Sequence, residues 1–169
     1  MELDPRLLLP HLAIASQEDL FAHVARLLRD LGFVGATYHE ALLAREAVFP
    51  TGLAVPAGGV ALPHTDASHV RRDALAVVTL IRPILFAPMG GDAADEPVAV
   101  TTVLFLVVSD PSRQVDSLSR TVHAIQSDDF LLRLQAAETP AGLHAVLTNQ
   151  LGLSRPTAPS PDTHTHPKE

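Results

Sequence analysis

The spacing of hydrophobic and polar residues predicts helices in the first third of the chain. Apolar side chains recur at helical spacing over 16–31, with Ser16 as the capping residue. These side chains are Leu20, Phe21, Val24, Leu27, Leu28 and Leu31. A second helix is predicted from Thr37 to about Phe49, because Thr37 and Glu40 have the spacing of a capping box.

The middle of the chain has the pattern of buried strands. After a predicted loop with extended pieces over 50–58, strands are expected at 59–62, 74–81 and 100–108. The last two are almost continuous runs of aliphatic and β-branched residues. Such runs are typical of strands that are buried on both faces, so helices should cover both sides of the sheet.

Helical spacing returns towards the C-terminus. Helices are predicted from Asp110 to about Gln126, over 128–137, and from Thr139 to just before Gly152. The core face expected for the first of them consists of Val115, Leu118, Val122 and Ile125. The expected fold is a single α/β domain over 1–153, with a central mixed β-sheet covered by helices on both faces.

Composition and charge narrow the class of protein. The 169 residues are 47% hydrophobic, include no cysteine and carry a formal net charge of −7. This charge argues against general nucleic-acid binding, and no apolar run is long enough to insert into a membrane. The absence of cysteine and an acidic N-terminus predict a cytoplasmic protein. The polar, proline-rich segment 154–169 is predicted to be a disordered tail.

The strongest chemical signal is the sequence Gly-Val-Ala-Leu-Pro-His-Thr over 59–65, which places His64 just past a predicted strand. A histidine on such a rigid mount can accept a phosphoryl group through one ring nitrogen. Alternatively, His64, Asp66 and His69 form a His-x-Asp-x-x-His pattern that would suit a metal-dependent enzyme. The cationic residues Arg71 and Arg72 next to this pattern oppose a divalent ion.

These motifs resemble the enzyme IIA domain of the bacterial sugar phosphotransferase system. Arg45-Glu46, Pro50-Thr51-Gly52 and Pro63-His64-Thr65 occur in the order of the fructose–mannitol type, and the galactitol-like branch fits best. The resemblance extends over about 5–150 and includes Asp95-Glu96-Pro97-Val98 and Asp110-Pro111.

The resemblance implies a phosphoryl relay without metal or cofactor. His64 would accept phosphate from the histidine phosphocarrier protein and pass it to enzyme IIB, on a cysteine in galactitol-type systems. Arg45 would supply positive charge, and the Thr65 hydroxyl and Gln114 amide would donate hydrogen bonds to the phosphoryl oxygens. Mannitol-type domains carry a second histidine where this chain has Gln114. A regulatory module of the same fold, switched by phosphorylation of His64, is the alternative.

Overall fold

The computed structural model describes residues 3–91 and 95–152, which form a five-stranded sheet with helices on both faces. The strands are β1 Leu8–Leu12, β2 Gly52–Val55, β3 Gly58–Ala61, β4 Ala74–Phe86 and β5 Val98–Val107. The helices are α1 Gln17–Asp30, α2 Tyr38–Val48, α3 Pro111–Ile125, α4 Asp128–Ala136 and α5 Pro140–Leu151. Short 3₁₀ helices cover Pro5–Leu7 and Ala67–His69.

The sheet is mixed, as predicted, with the strand order β1-β4-β5-β3-β2. β1 runs parallel to β4 and β3 parallel to β5, whereas β4–β5 and β2–β3 are antiparallel. The two long central strands are buried on both faces, and their alternate residues belong to two separate cores. In β5, for example, Phe105 packs towards α1 and α2, and Leu104 packs towards α3, α4 and α5.

β1 was not predicted, and β2 was predicted only as an extended piece of a loop, each for a local reason. β1 contains Pro10, which lacks a backbone N–H and interrupts the strand pattern; proline is tolerated here because β1 is an edge strand. His11 in the same strand has a φ of 48°, and the register to β4 shifts beside it. β2 has only four residues and falls inside the segment that was predicted as a loop.

Two details of the predicted helices are wrong. The Thr37–Glu40 capping box is absent: Thr37 has a helical backbone, and its side chain makes no capping hydrogen bond. Its hydroxyl oxygen lies 2.9 Å from His69 Nδ1 instead. Val115 was expected in the core but is 70% exposed, because it lies on the outer side of α3. By contrast, Ser16 caps α1 as predicted, with its Oγ accepting from the Asp19 N–H.

Gly59 shows how tightly the strand before the histidine is packed. A Cβ on this residue would overlap the carbonyl oxygen of Ala99 on β5. Only glycine therefore allows β3 to approach β5 this closely. Within the described ranges, no helix is long and apolar enough to cross a bilayer. The tail predicted over 154–169 lies outside the described residues.

Candidate functional site

His64 is held by the end of β3 and by the neighbouring strand. The chain continues past Ala61 alongside β5, where the Leu106 N–H donates to the Pro63 carbonyl at 3.1 Å. His64 itself forms a parallel bridge with Leu106. Leu62 is fully buried, whereas His64 is partly exposed. The imidazole is thus held against the carboxyl end of the central strand β5 and still reaches the surface.

The ring of His64 is oriented by a hydrogen bond to its own chain. Its Nδ1 lies 2.9 Å from the carbonyl oxygen of Leu62. Because a carbonyl oxygen only accepts, Nδ1 must carry the hydrogen, and Nε2 of the neutral ring keeps its lone pair. Nε2 is therefore the ring nitrogen whose lone pair is available to a reacting group or ligand.

The first turn of α3 lies beside the residue that follows the histidine. The side-chain amide of Gln114 donates to the backbone carbonyl of Thr65 at 2.9 Å. A glutamine amide has two N–H groups, so one remains for a further acceptor. Thr65 itself is buried, with 3% of its surface exposed. The positive end of the α3 dipole lies in the same region.

Asp73 joins the start of β4 to the segment that leads into α3. Its carboxylate accepts from the Ser109 N–H at 2.8 Å and from the Ser109 hydroxyl at 2.7 Å. Arg113 forms an ion pair with it at 2.8 Å. Partial burial acts to raise the pKa of Asp73, but the Ser109 hydrogen bonds and the Arg113 charge together hold it below its ordinary value. This contact fixes the helix that carries Gln114.

Arg45 lies in the last turn of α2. β2 follows this helix and pairs with β3 through Gly52 and Ala61, so the end of α2 is brought beside the segment leading to His64. The guanidinium carbon of Arg45 lies 4.1 Å from the ring centroid of Phe49. No carboxylate in the described part of the chain forms an ion pair with Arg45.

Glu46 closes the turn between α2 and β2, a role that was not predicted. Its Oε1 accepts from the Thr51 N–H at 2.9 Å, and the Thr51 hydroxyl contacts both carboxylate oxygens at 3.1 and 2.9 Å. Burial raises the pKa of Glu46, and the hydrogen bonds from Thr51 offset part of this rise. The sequence does contain a signal for this role: Glu46 comes four positions after Leu42, which places an acidic residue on the apolar face of α2.

The structure does not support the metal alternative. Among residues 3–91 and 95–152, no group of three or more histidine or acidic side chains could hold a metal ion. His69 instead lies against Thr37, with 2.9 Å between Nδ1 and Oγ1. The 3₁₀ helix Ala67–His69 turns the chain, so that the His-x-Asp-x-x-His spacing does not gather its side chains.

The sequence of this chain is similar to those of proteins from one known family. Residues 2–150 match the family model described as phosphoenolpyruvate-dependent sugar phosphotransferase system, EIIA 2. The galactitol-specific EIIA component of Escherichia coli K12 is 29% identical over 120 residues, which cover 71% of this chain and 78% of that protein.

Solved structures show the same fold at low identity. The crystal structure of IIA mannitol from Escherichia coli has a TM-score of 0.69 and 17% identity, covering 87% of this chain and 99% of that one. The enzyme IIA of the mannitol system, solved with phosphorylated enzyme IIB from Escherichia coli, also has a TM-score of 0.69 and 17% identity. That match covers 88% of this chain and 98% of its counterpart.

Proposed function

The chain belongs to the phosphoenolpyruvate-dependent sugar phosphotransferase system EIIA 2 family, and we propose that it relays a phosphoryl group through Nε2 of His64. The observation that carries this proposal is the 2.9 Å hydrogen bond between His64 Nδ1 and the Leu62 carbonyl. It leaves an unprotonated nitrogen on a rigid, partly exposed mount, which is what a phosphoryl acceptor requires.

The transfer step needs no general base, because the attacking Nε2 carries no proton. The Nε2 lone pair attacks the phosphorus of the phosphohistidine on the phosphocarrier protein, and the nitrogen–phosphorus bond of the carrier breaks. The electron pair of that bond returns to the carrier imidazole. His64 gains positive character as the new bond forms, and the Leu62 carbonyl stabilises it through the Nδ1–H. In the second transfer, a nucleophile of enzyme IIB attacks the same phosphorus.

Local donors must hold the phosphoryl group, because the protein already carries a formal charge of −7. We assign this role to the Arg45 guanidinium, the Thr65 hydroxyl and the second amide N–H of Gln114. Arg45 supports the assignment because no described carboxylate pairs with it. Gln114 supports it because its bond to the Thr65 carbonyl keeps its amide beside the residue that follows His64. Charge-assisted hydrogen bonds of this kind are stronger than neutral ones.

The proposed partners are a histidine phosphocarrier protein and enzyme IIB. The enzyme IIA of the Escherichia coli mannitol system has been solved with phosphorylated enzyme IIB, which supports an analogous pairing here. The proposed pathway is uptake of galactitol or a similar polyol, because the relative at 29% identity is galactitol-specific. We also propose that residues 1–153 suffice for the relay.

The proposal is tested by incubating the purified chain with phosphoenolpyruvate, enzyme I and the phosphocarrier protein. We expect an acid-labile phosphate, detected by intact-mass spectrometry, on the unaltered chain but not on His64→Ala. His69→Ala is the matched control, because His69 is in the same loop and lies against Thr37. Equal labelling of His64→Ala and the unaltered chain would contradict the proposal.

A further inference from the structure

Arg45 has an aromatic neighbour whose backbone is held at the end of α2. Phe49 follows Arg45 by four residues, and the guanidinium carbon lies 4.1 Å from its ring centroid. The Phe49 N–H donates to the Arg45 carbonyl at 2.8 Å. Pro50 comes next and disfavours a helical conformation at Phe49, which has φ −129° and ψ 77°. The Phe49 backbone is therefore set in place where α2 ends.

The turn beyond Phe49 is also held. Thr51 donates its N–H and its hydroxyl to the buried Glu46 carboxylate. Phe49 is thus anchored on one side by its bond to the Arg45 carbonyl and on the other by the Glu46–Thr51 contact. A backbone held in this way limits where the Phe49 ring can lie beside Arg45.

Hydrophobic burial does not explain this ring. Phe49 is 56% exposed, and it belongs to neither of the two described cores. A large apolar side chain left this exposed gains little from burial. The ring contacts the Arg45 guanidinium instead.

From this geometry we propose that Phe49 is a positioning residue for Arg45 during phosphoryl transfer, an inference that rests on the proposed function. The ring lies 4.1 Å from the guanidinium carbon, and no acceptor in the described part of the chain takes the guanidinium N–H groups, which stay available for an anion. Stacking reduces the number of Arg45 rotamers, so less side-chain entropy is lost when the guanidinium binds the phosphoryl oxygens. Phe49 itself does not touch the reacting atoms.

Kinetics of transfer from isolated phosphorylated phosphocarrier test this proposal. Phe49→Leu keeps apolar bulk but removes the π face, and we expect kcat to fall about two- to fivefold with KM for the carrier unchanged. Phe49→Tyr keeps the face and should retain the rate of the unaltered chain. Val48→Ala is the matched control, because Val48 is adjacent and 68% exposed.

A double-mutant cycle shows whether Phe49 acts through Arg45. In an Arg45→Ala background, Phe49→Leu should cause no further loss of kcat. The NMR signal of the Arg45 Nε–H should also move in Phe49→Leu, because the ring current is lost, and should keep a shifted position in Phe49→Tyr. Melting temperatures of all variants confirm that they are folded.

Four results would overturn the inference. The first two are equal losses of kcat in Phe49→Leu and Phe49→Tyr, and an undiminished loss of kcat for Phe49→Leu in the Arg45→Ala background. The other two are a change in Phe49→Leu that is confined to KM, and a loss of kcat in Val48→Ala as large as that in Phe49→Leu. If the unaltered chain accepts no phosphate, the proposed function itself fails and this inference fails with it. That outcome is distinct, because it is seen in the unaltered chain before any variant is compared.

Discussion

Removal of the Glu46 carboxylate should destabilise the protein, because two buried donors of Thr51 depend on it. In Glu46→Ala, the Thr51 N–H and hydroxyl lose their acceptor, on a residue that is 2% exposed. A buried donor left without a partner costs about 1–3 kcal/mol, and the hydroxyl also loses a bond to a charged group. Together these losses should lower the free energy of unfolding by about 2–4 kcal/mol.

Thermal and urea unfolding, followed by circular dichroism, measure this change. For a domain of this size, about 2–4 kcal/mol corresponds to a melting temperature lowered by about 4–16 °C. Glu40→Ala is the matched control, because Glu40 is an exposed glutamate in the same helix. Surface substitutions of this kind usually change stability by less than about 0.5 kcal/mol.

A Glu46→Ala variant as stable as Glu40→Ala would refute the reasoning. It would mean that the Thr51 donors find water or another acceptor at no cost. Thr51→Val separates the two bonds, because it removes the hydroxyl and keeps the backbone N–H. We therefore expect Thr51→Val to lower the free energy of unfolding less than Glu46→Ala does. The loss in the double variant should be smaller than the sum of the two single losses.

Three further predictions concern pH, packing and charge. Because burial raises the folded-state pKa of Glu46, its contribution to stability is greatest at low pH and declines as pH rises through that pKa. Over that pH range, chemical denaturation should show the stability of the unaltered protein falling relative to that of Glu46→Gln. Gly59→Ala should cost about 1–3 kcal/mol in thermal unfolding, whereas Gly35→Ala, with its nearest contact at an ordinary 3.7 Å, should cost less; equal losses would contradict the packing argument. Arg45→Lys should slow phosphoryl transfer about tenfold to a hundredfold in quenched time-course assays, because lysine cannot make the bidentate contact with the phosphoryl oxygens that we propose for Arg45. An unchanged rate would mean that Arg45 does not contact the phosphoryl group.

The central sheet could be predicted from sequence because its long strands are buried on both faces. The aliphatic runs of β4 and β5 left few alternatives to this arrangement. The edge strands escaped prediction because they are short and contain residues such as Pro10 and Gly52, whose local preference opposes a strand. Their pairing depends on partners far away in the sequence.

The candidate site was predictable only in part. Pro63-His64-Thr65 marks a strand end, and this is where the structure has it. The ring orientation of His64 could not be predicted, because it depends on the carbonyl of Leu62 turning back towards Nδ1. Val115 shows the opposite error: helical spacing predicts burial, but no element of the described structure covers that side of α3.

The most direct test of the account is the identity of the phosphorylated nitrogen. Long-range ¹H–¹⁵N NMR of the phosphorylated chain, with ³¹P coupling, distinguishes Nδ1 from Nε2 of each histidine. We predict a single phosphorylated ring, that of His64, with the phosphorus bonded to Nε2 and the Nδ1–H still bonded to the Leu62 carbonyl. Phosphate on Nδ1 of His64, or on any other histidine, would contradict the account.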